Sequence, residues 1–262
     1  MVVLCDGMIR SGSTWSFNVV RALLRADGSK KVYGLYNENP AVVHSAIRPR
    51  SSHVVIKSHS LDPSVYDLCR SGMVKPIYTW RHPYDAAVSA MRMFGHSLEH
   101  WISPLRNALR IWSFHRSTGC GLVVSYKLIM TDPQSTVATI AEYLGLRLGS
   151  GAISGIVEAN SLERVRALAR DFTALDQSKV VHENGCVYHR ETLLHSNHIR
   201  DGRIGYGLEY LSSSELAQID AALQEEGYGH LCQRKGARAA PEGCGKFSVY
   251  STGENIPGAA AE

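Results

Sequence analysis

No stretch of this chain approaches the ~18–20 consecutive apolar residues of a membrane-spanning helix. Its first residues carry no basic segment ahead of an apolar core, so a secretory leader is not expected. The six cysteines, Cys5, Cys69, Cys120, Cys186, Cys232 and Cys244, never form a C-x-x-C pair, which argues against zinc and thioredoxin-type chemistry. Spread over 262 residues they are too few for a disulfide framework, and a reducing compartment is the default. Lysine and arginine never cluster into a run. Their total of 28 against 24 acidic residues gives a net charge of +4, which suits a small anionic ligand and is too weak to argue for nucleic acid. There is no internal repeat. These absences together predict a soluble, cytoplasmic protein without a membrane span.

What is present is an ordinary globular composition, 44% hydrophobic and 20% charged. It is enough for one α/β domain with a sizeable core. The expected division is a single domain over residues 1–235 followed by a Gly/Ala/Pro-rich extension over 236–262.

The chain is organised around a stretch near its start. An apolar run, Val2-Val3-Leu4-Cys5, leads through Gly7 into Arg10-Ser11-Gly12-Ser13-Thr14-Trp15, and Phe17 to Leu24 then carry helical apolar spacing. The reading is strand, tight loop, helix. The first N–H groups of such a helix lack intrahelical partners and sit at the positive end of its dipole, which makes an anion site. The spacing G-x-x-x-x-G-Ser-Thr is that of a phosphate-binding P-loop except at its lysine, which is Ser13 here. Arg10 supplies a cation from within the loop and can fork onto phosphate or sulfate oxygens. Trp15 suits stacking on a base or a place in the core.

Further along, strands and helices alternate. Val32–Tyr36 is a short strand candidate, Ser52–Lys57 reads as a strand buried on both faces, and Lys75–Trp80 is a third after the first run. Pro83 fits the first turn of a helix through Met91, Leu105–Arg116 reads helical, and Gly121–Tyr126 is another buried strand. Asp132-Pro133 opens a helix that Gly145 stops, and Ser161–Arg170 is helical. Residues 171–198 are polar and histidine-rich without a clear period, which predicts a long loop or lid. A capping box of Ser212 and Glu215 opens the last helix, which runs to about Glu226. The fold class that follows is α/β, a central parallel sheet flanked by helices on both faces, with a P-loop-like anion loop. Ligands of such folds sit outside the carboxyl ends of the strands. Arg10, Lys57, His59 and Arg81 each lie just past one, so three cations and an imidazole converge on one crevice.

These residues, in this order, resemble the sulfotransferases that use 3'-phosphoadenosine-5'-phosphosulfate (PAPS). Arg10 to Trp15 is similar to that family's 5'-phosphosulfate loop, and Lys57-Ser-His59 to its K-x-H. Arg81-His-Pro-Tyr-Asp85 with Ser89 resembles its 3'-phosphate motif, and Arg200-Asp-Gly-Arg-Ile-Gly205 its late glycine loop. The likeness runs from about residue 2 to 228. It implies that His59 is the catalytic base, assisted by the charges of Arg10 and Lys57. It also implies that the Ser11–Thr14 backbone holds the 5'-phosphosulfate, that Arg81, Ser89, Arg200 and the Gly202 backbone grip the 3'-phosphate, and that Trp15, Tyr126 and Leu162 bracket the adenine. No metal is expected, because protein cations can neutralise the leaving phosphate. Three positions depart from the family pattern: Arg10 replaces the lysine common in cytosolic members, Asp201 stands where many have lysine, and Gly207 where tryptophan is frequent. The dimerisation motif of animal cytosolic members is not recognisable, so oligomeric state is not inherited.

His96-Ser-Leu-Glu99-His100 spells a zinc-binding H-x-x-E-H, but Pro104 and a poor apolar context argue against a metal site there. Two other readings compete with sulfuryl transfer: a P-loop small-molecule kinase, against which Ser13 counts, and a non-catalytic adenosine-bisphosphate binding protein, against which His59, Lys57 and Arg10 count. The expected acceptor is a hydroxyl or amine of a small molecule, such as a glycopeptide or alkaloid natural product, received by variable loops near residues 36–50, 92–104 and 171–198.

Overall fold

The computed structural model describes residues 1–28, 31–47, 52–183, 186–196, 199 and 202–232. The tail from 236 onward, expected as an extension, and Arg200 and Asp201 of the late loop lie outside the described residues.

The first half alternates as its apolar runs require: β1 (Val2–Gly7), α1 (Ser13–Ala26), β2 (Lys31–Tyr36), α2 (Pro40–Ala46), β3 (Ser52–Lys57), α3 (Pro63–Arg70), β4 (Val74–Trp80) and α4 (Pro83–Phe94). There follow α5 (Leu98–Thr118), β5 (Leu122–Ser125), α6 (Tyr126–Thr131), α7 (Pro133–Leu144), α8 (Ser150–Ala159) and α9 (Leu162–Arg170). Strands β6 (Val180–Glu183), β7 (Cys186–His189) and β8 (Leu194–His195) precede α10 (Gly207–Tyr210) and α11 (Ser213–Glu225).

Strands β1 to β5 form one parallel sheet in the order β2-β3-β1-β4-β5. Both faces are covered, which is why the strand sequences are continuous apolar runs. Alternation along β1 sends Val3 and Cys5 to the face packed by Phe17, Val20 and Ile140, and Val2 and Leu4 to the face packed by Leu109 and Trp112. The chain leaves β1 toward β2 and β3 on one side and crosses to β4 on the other. The crevice at that reversal, outside the carboxyl ends of the strands, is the place where such a sheet holds ligands.

The structure departs from the sequence expectations in several places. Helix α5 begins at Leu98 and runs through Pro104. Proline within a helix removes one backbone bond; here Leu98, Trp101 and Leu105 are all buried, and that packing outweighs the loss. Helices α2, α3 and α8 were not foreseen, although Asn39-Pro40 and Asp62-Pro63 are start signals, with both caps accepting the expected backbone N–H. Tyr126 opens α6 instead of closing β5. The stretch expected as an aperiodic lid is a three-stranded antiparallel sheet, β6-β7-β8, whose strands are too short to display alternation. The capping box on α11 is as expected.

Candidate active site

The loop after β1 is shaped by glycine where side chains cannot fit. A Cβ on Gly7 would lie 2.2 Å from Thr79 Oγ1, and Gly12 adopts φ 96° at the mouth of α1. Ser11 braces the loop from inside. Its hydroxyl bonds the Met8 and Thr79 carbonyls at 2.6 and 2.8 Å, and its N–H already donates to Met8 O at 3.1 Å. Of the expected Ser11–Thr14 donors, Ser11 thus has its N–H committed within the loop, while Gly12, Ser13 and Thr14 stand at the start of α1, where N–H groups have no intrahelical partner.

Arg10 is a non-glycine residue with φ 69°. That conformation costs on the order of 1 kcal/mol or more and persists only where neighbours enforce it. The neighbours are Arg81, whose Nη1 donates to Arg10 O at 3.2 Å, and Ser89, whose Oγ accepts from Arg10 Nε at 3.0 Å. The sequence motifs of the first loop and of α4 thus meet through these two contacts.

Lys57 and His59 stand at the end of β3. His59 Nδ1 lies 2.7 Å from the Gly7 carbonyl and Nε2 lies 2.8 Å from Lys57 Nζ. A carbonyl only accepts, so Nδ1 carries the proton, and the Nε2 lone pair faces the ammonium. Burial and then the Lys57 charge push the imidazole down to about 3, while burial brings Lys57 down to about 8 against the pull of Asp6 and Glu38. Tyr36 lies beneath the ammonium, 4.9 Å from ring centroid to Nζ, and gives its hydroxyl to Glu38 at 2.6 Å. At neutral pH the pair is a neutral imidazole beside a cation.

On the other flank Arg81 is buried. Its Nη2 donates to Arg203 O at 2.6 Å, its Nε stands 4.0 Å from Asp85, and the guanidinium lies 4.0 Å from the Tyr126 ring centroid. Two of its five N–H groups are used on carbonyls, which leaves donors for a further oxygen ligand. Asp85 receives the N–H groups of Gly205 and Gly207, each at 2.7 Å. The late glycine loop is thereby tied to α4, although its Arg200 lies outside the described residues. Gly202 packs where a Cβ would meet Met130 and Leu162 at 2.6 and 2.9 Å. Trp15 donates its indole N–H to Asn160 O at 3.2 Å, next to Leu162. Trp15, Leu162 and Gly202 therefore gather on the α8–α9 side, and Arg10, Lys57 and His59 on the β1–β3 side.

Two acidic residues in the site carried no role in the sequence reading. Asp6 is fully buried, accepts the Gly7 N–H at 2.7 Å, and is pushed up to about 7 by burial. Its signal was a charged residue closing an apolar strand. Asp85 was visible within the Arg81 motif, but its two partners are more than a hundred residues away. His96 stacks on His100 with ring centroids 4.3 Å apart. Among the described residues no group of three His, Cys, Asp or Glu side chains is arranged to hold a metal ion. Beside Ile9 of the loop lies a shallow apolar depression of about 20 Å³, lined by Met8, Ala86, Ala90, Trp101 and Leu105. Among the described residues no helix is long and apolar enough to cross a membrane.

The family model for a sulfotransferase domain matches residues 3–192. Among solved structures, a mouse sulfotransferase complexed with PAP is similar at 14% identity and TM-score 0.62, covering 86% of this chain and 84% of its own. Retinol dehydratase, solved with androsterone and the inactive cofactor PAP, is similar at 16% identity and TM-score 0.57, covering 86% and 80%. Its complex with retinol and PAP gives 18% identity and TM-score 0.55 over the same shares. At such identities the likeness is one of fold. No curated protein matches the chain. The match to the domain model spans well over half of the sequence, and the chain belongs to the sulfotransferase family.

Proposed function

We propose that this family member transfers the sulfuryl group of PAPS to a hydroxyl or amine of a small-molecule acceptor. The observation that carries the reading is the convergence of Arg10 and Lys57 with a neutral His59 beside an anion-binding helix start. The donor supplies the sulfuryl group and a phosphate leaving group. The helix-start N–H groups and Arg10 hold the 5' end; Ser89 and the remaining donors of Arg81 hold the 3'-phosphate; Trp15, Tyr126 and Leu162 enclose the base. PAP in the similar structures supports a bisphosphate nucleotide in that place.

The base cannot act in the arrangement described, because Lys57 occupies the one free nitrogen of His59. An anion at the loop draws the ammonium toward its oxygens, and that movement frees Nε2. With the neighbouring charge neutralised, the imidazole regains basicity toward the acceptor proton. Lys57 then faces the charge that builds on the leaving phosphate, where a cation is most effective in a site shielded from water.

Calorimetry with adenosine 3',5'-bisphosphate, 5'-AMP and ATP tests the donor. Charge-assisted hydrogen bonds to the 3'-phosphate are expected to favour the bisphosphate over 5'-AMP by about 10–100-fold. Equal binding of the two removes the reading, and magnesium-dependent phosphate transfer from ATP replaces it with a kinase. Transfer of labelled sulfate from PAPS into pooled hydroxylated and amine-bearing metabolites then identifies the acceptor.

A further inference from the structure

Asp6 is a buried acid that the proposed function leaves without a role. It stands near the end of β1 with none of its surface exposed, and a carboxyl so placed costs free energy unless its oxygens find donors. Among the described residues its only hydrogen bond comes from Gly7 N–H to Oδ1 at 2.7 Å, and Oδ2 is buried without a partner. All the polar capacity that Asp6 uses is therefore spent on one backbone group of Gly7.

The course of β3 shows why that group needs a side chain. Rungs between β1 and β3 run from Val54 N–H to Met1 O at 3.0 Å and end with Ser58 N–H to Cys5 O at 3.1 Å. The next rung of the same parity would join Ser60 N–H to Gly7 O. Ser60 N–H turns instead to Ser58 Oγ at 3.0 Å, so the strands part and leave the N–H and carbonyl of Gly7 without a ladder partner on that side. Asp6 Oδ1 accepts the N–H, and the carbonyl accepts from His59 Nδ1, each at 2.7 Å. Met8 N–H, of the same peptide unit as the Gly7 carbonyl, donates to Thr79 O at 3.0 Å on the β4 side. Position 7 must be glycine, because a Cβ there would lie 2.2 Å from Thr79 Oγ1, and glycine restrains its own backbone least. Both of its peptide units are accordingly pinned from outside: Thr79 holds the second, and Asp6 the first.

We infer that Asp6 is a positioning residue for the base: by holding the Gly7 N–H it sets the Gly7 carbonyl, which keeps the proton of His59 on Nδ1 and the lone pair on Nε2. The inference rests on His59 being the base of the proposed sulfuryl transfer, and names what aims it. Asp6 touches neither donor nor acceptor, and no proton passes to it. Its contribution is orientation, since an imidazole held by one carbonyl keeps its tautomer only while that carbonyl keeps its direction.

Asp6→Leu removes the acceptor but keeps a γ-branched side chain suited to a buried strand, whereas Asp6→Asn keeps an oxygen for the Gly7 N–H. The ring nitrogens of His59, assigned through His59→Gln, are followed by heteronuclear NMR in nucleotide-free protein, a readout independent of activity. Wild type and Asp6→Asn are expected to show His59 protonated on Nδ1, and Asp6→Leu a mixture of the two tautomers. Turnover of PAPS with the pooled hydroxylated and amine-bearing metabolites should fall by roughly 10–10²-fold in Asp6→Leu and be largely kept in Asp6→Asn. Calorimetric binding of adenosine 3',5'-bisphosphate should stay close to wild type in both. An unchanged tautomer and turnover in Asp6→Leu overturn the inference, as does an equal loss in Asp6→Asn. A fall in bisphosphate binding as large as the fall in turnover also overturns it, because Asp6 would then shape the whole loop. If Asp6→Leu does not fold, Asp6→Ala takes its place, and a wild-type His59 protonated on Nε2 overturns the inference without any variant. Failure of the bisphosphate to bind wild type, or full activity in His59→Ala, overturns the sulfuryl-transfer reading and this inference with it, whatever the tautomers show.

Discussion

Replacing Lys57 with methionine removes the ammonium 2.8 Å from His59 Nε2 and leaves an unbranched chain in the same slot at the end of β3. His59 is held at about 3 first by burial, then by Lys57, with the Gly7 carbonyl pulling the other way. Burial and the Gly7 bond survive the substitution, so a full return to the ordinary 6.5 is not expected. The part removed is the repulsion of one charge. In a crevice of effective dielectric about 20, a neighbouring charge is worth at most a few kcal/mol, and a pKa unit corresponds to about 1.4 kcal/mol. Solvent entering the slot reduces the effect, leaving a rise of about one to two units. Histidine NMR across pH 3–8, with His59 assigned through His59→Gln, measures it. Saturating wild type with adenosine 3',5'-bisphosphate should move the same resonance in the same direction, since the anion draws Lys57 away. Turnover of PAPS in Lys57→Met should fall by about 10²–10³-fold, as when a preorganised donor to a developing anion is lost. A His59 resonance that titrates identically in Lys57→Met and wild type would refute the argument that the ammonium masks the base.

Three further outcomes follow from the same geometry. His59→Ala should lower turnover by roughly 10²–10⁴-fold with nucleotide affinity and thermal unfolding nearly unchanged; a folded and fully active variant would remove His59 from the mechanism. Asp85→Ala strips the acceptors from Gly205 and Gly207 N–H and should destabilise the fold by about 2–4 kcal/mol in denaturant titration while weakening bisphosphate binding; unchanged binding would detach the late loop from the nucleotide site. His115 is buried beside Tyr78 and pushed down to about 4 by burial. Between that value and the ordinary 6.5 the unfolded chain binds the extra proton, so stability is full above about pH 6.5, falls by up to about 3 kcal/mol on the way down to pH 4, and is level below it. In His115→Leu that acid slope should shrink, and an unchanged slope across pH 4–6.5 would assign it elsewhere.

Much of the crevice was legible because its chemistry rides on local patterns. Strand, glycine loop and helix follow one another within residues 2–26, and Lys57, His59 and Arg81 terminate apolar runs that could only be buried strands. Register across a parallel sheet then brought the strand ends together, which spacing alone had implied. The helix through Pro104 was missed because a proline was weighed as a local breaker, whereas the burial of Trp101 and Leu105 decided the matter.

What the sequence could not disclose is which partner each charged group chooses. Ser11 looked like an anion ligand and proves to be a strut, because its N–H is spent within the loop. Arg81 looked like a free phosphate grip, yet it also carries the late loop through Arg203 O. Asp85 ties that loop down from α4, and Glu191 gathers Arg21, Arg25 and Lys179 around the turn between β7 and β8. Each of these is a long-range contact between a side chain and backbone or charge, invisible to periodicity and composition alike. Their shared effect is to commit part of the site's polar capacity before any ligand arrives. That commitment is physically useful: an anion site whose cations were all uncompensated would repel itself open, whereas one held by carbonyls and two buried acids keeps Arg10, Lys57 and Arg81 close together at low reorganisation cost. The Lys57–His59 contact is the sharpest instance, since under the proposed function it is the bond that an incoming anion breaks before the imidazole accepts a proton.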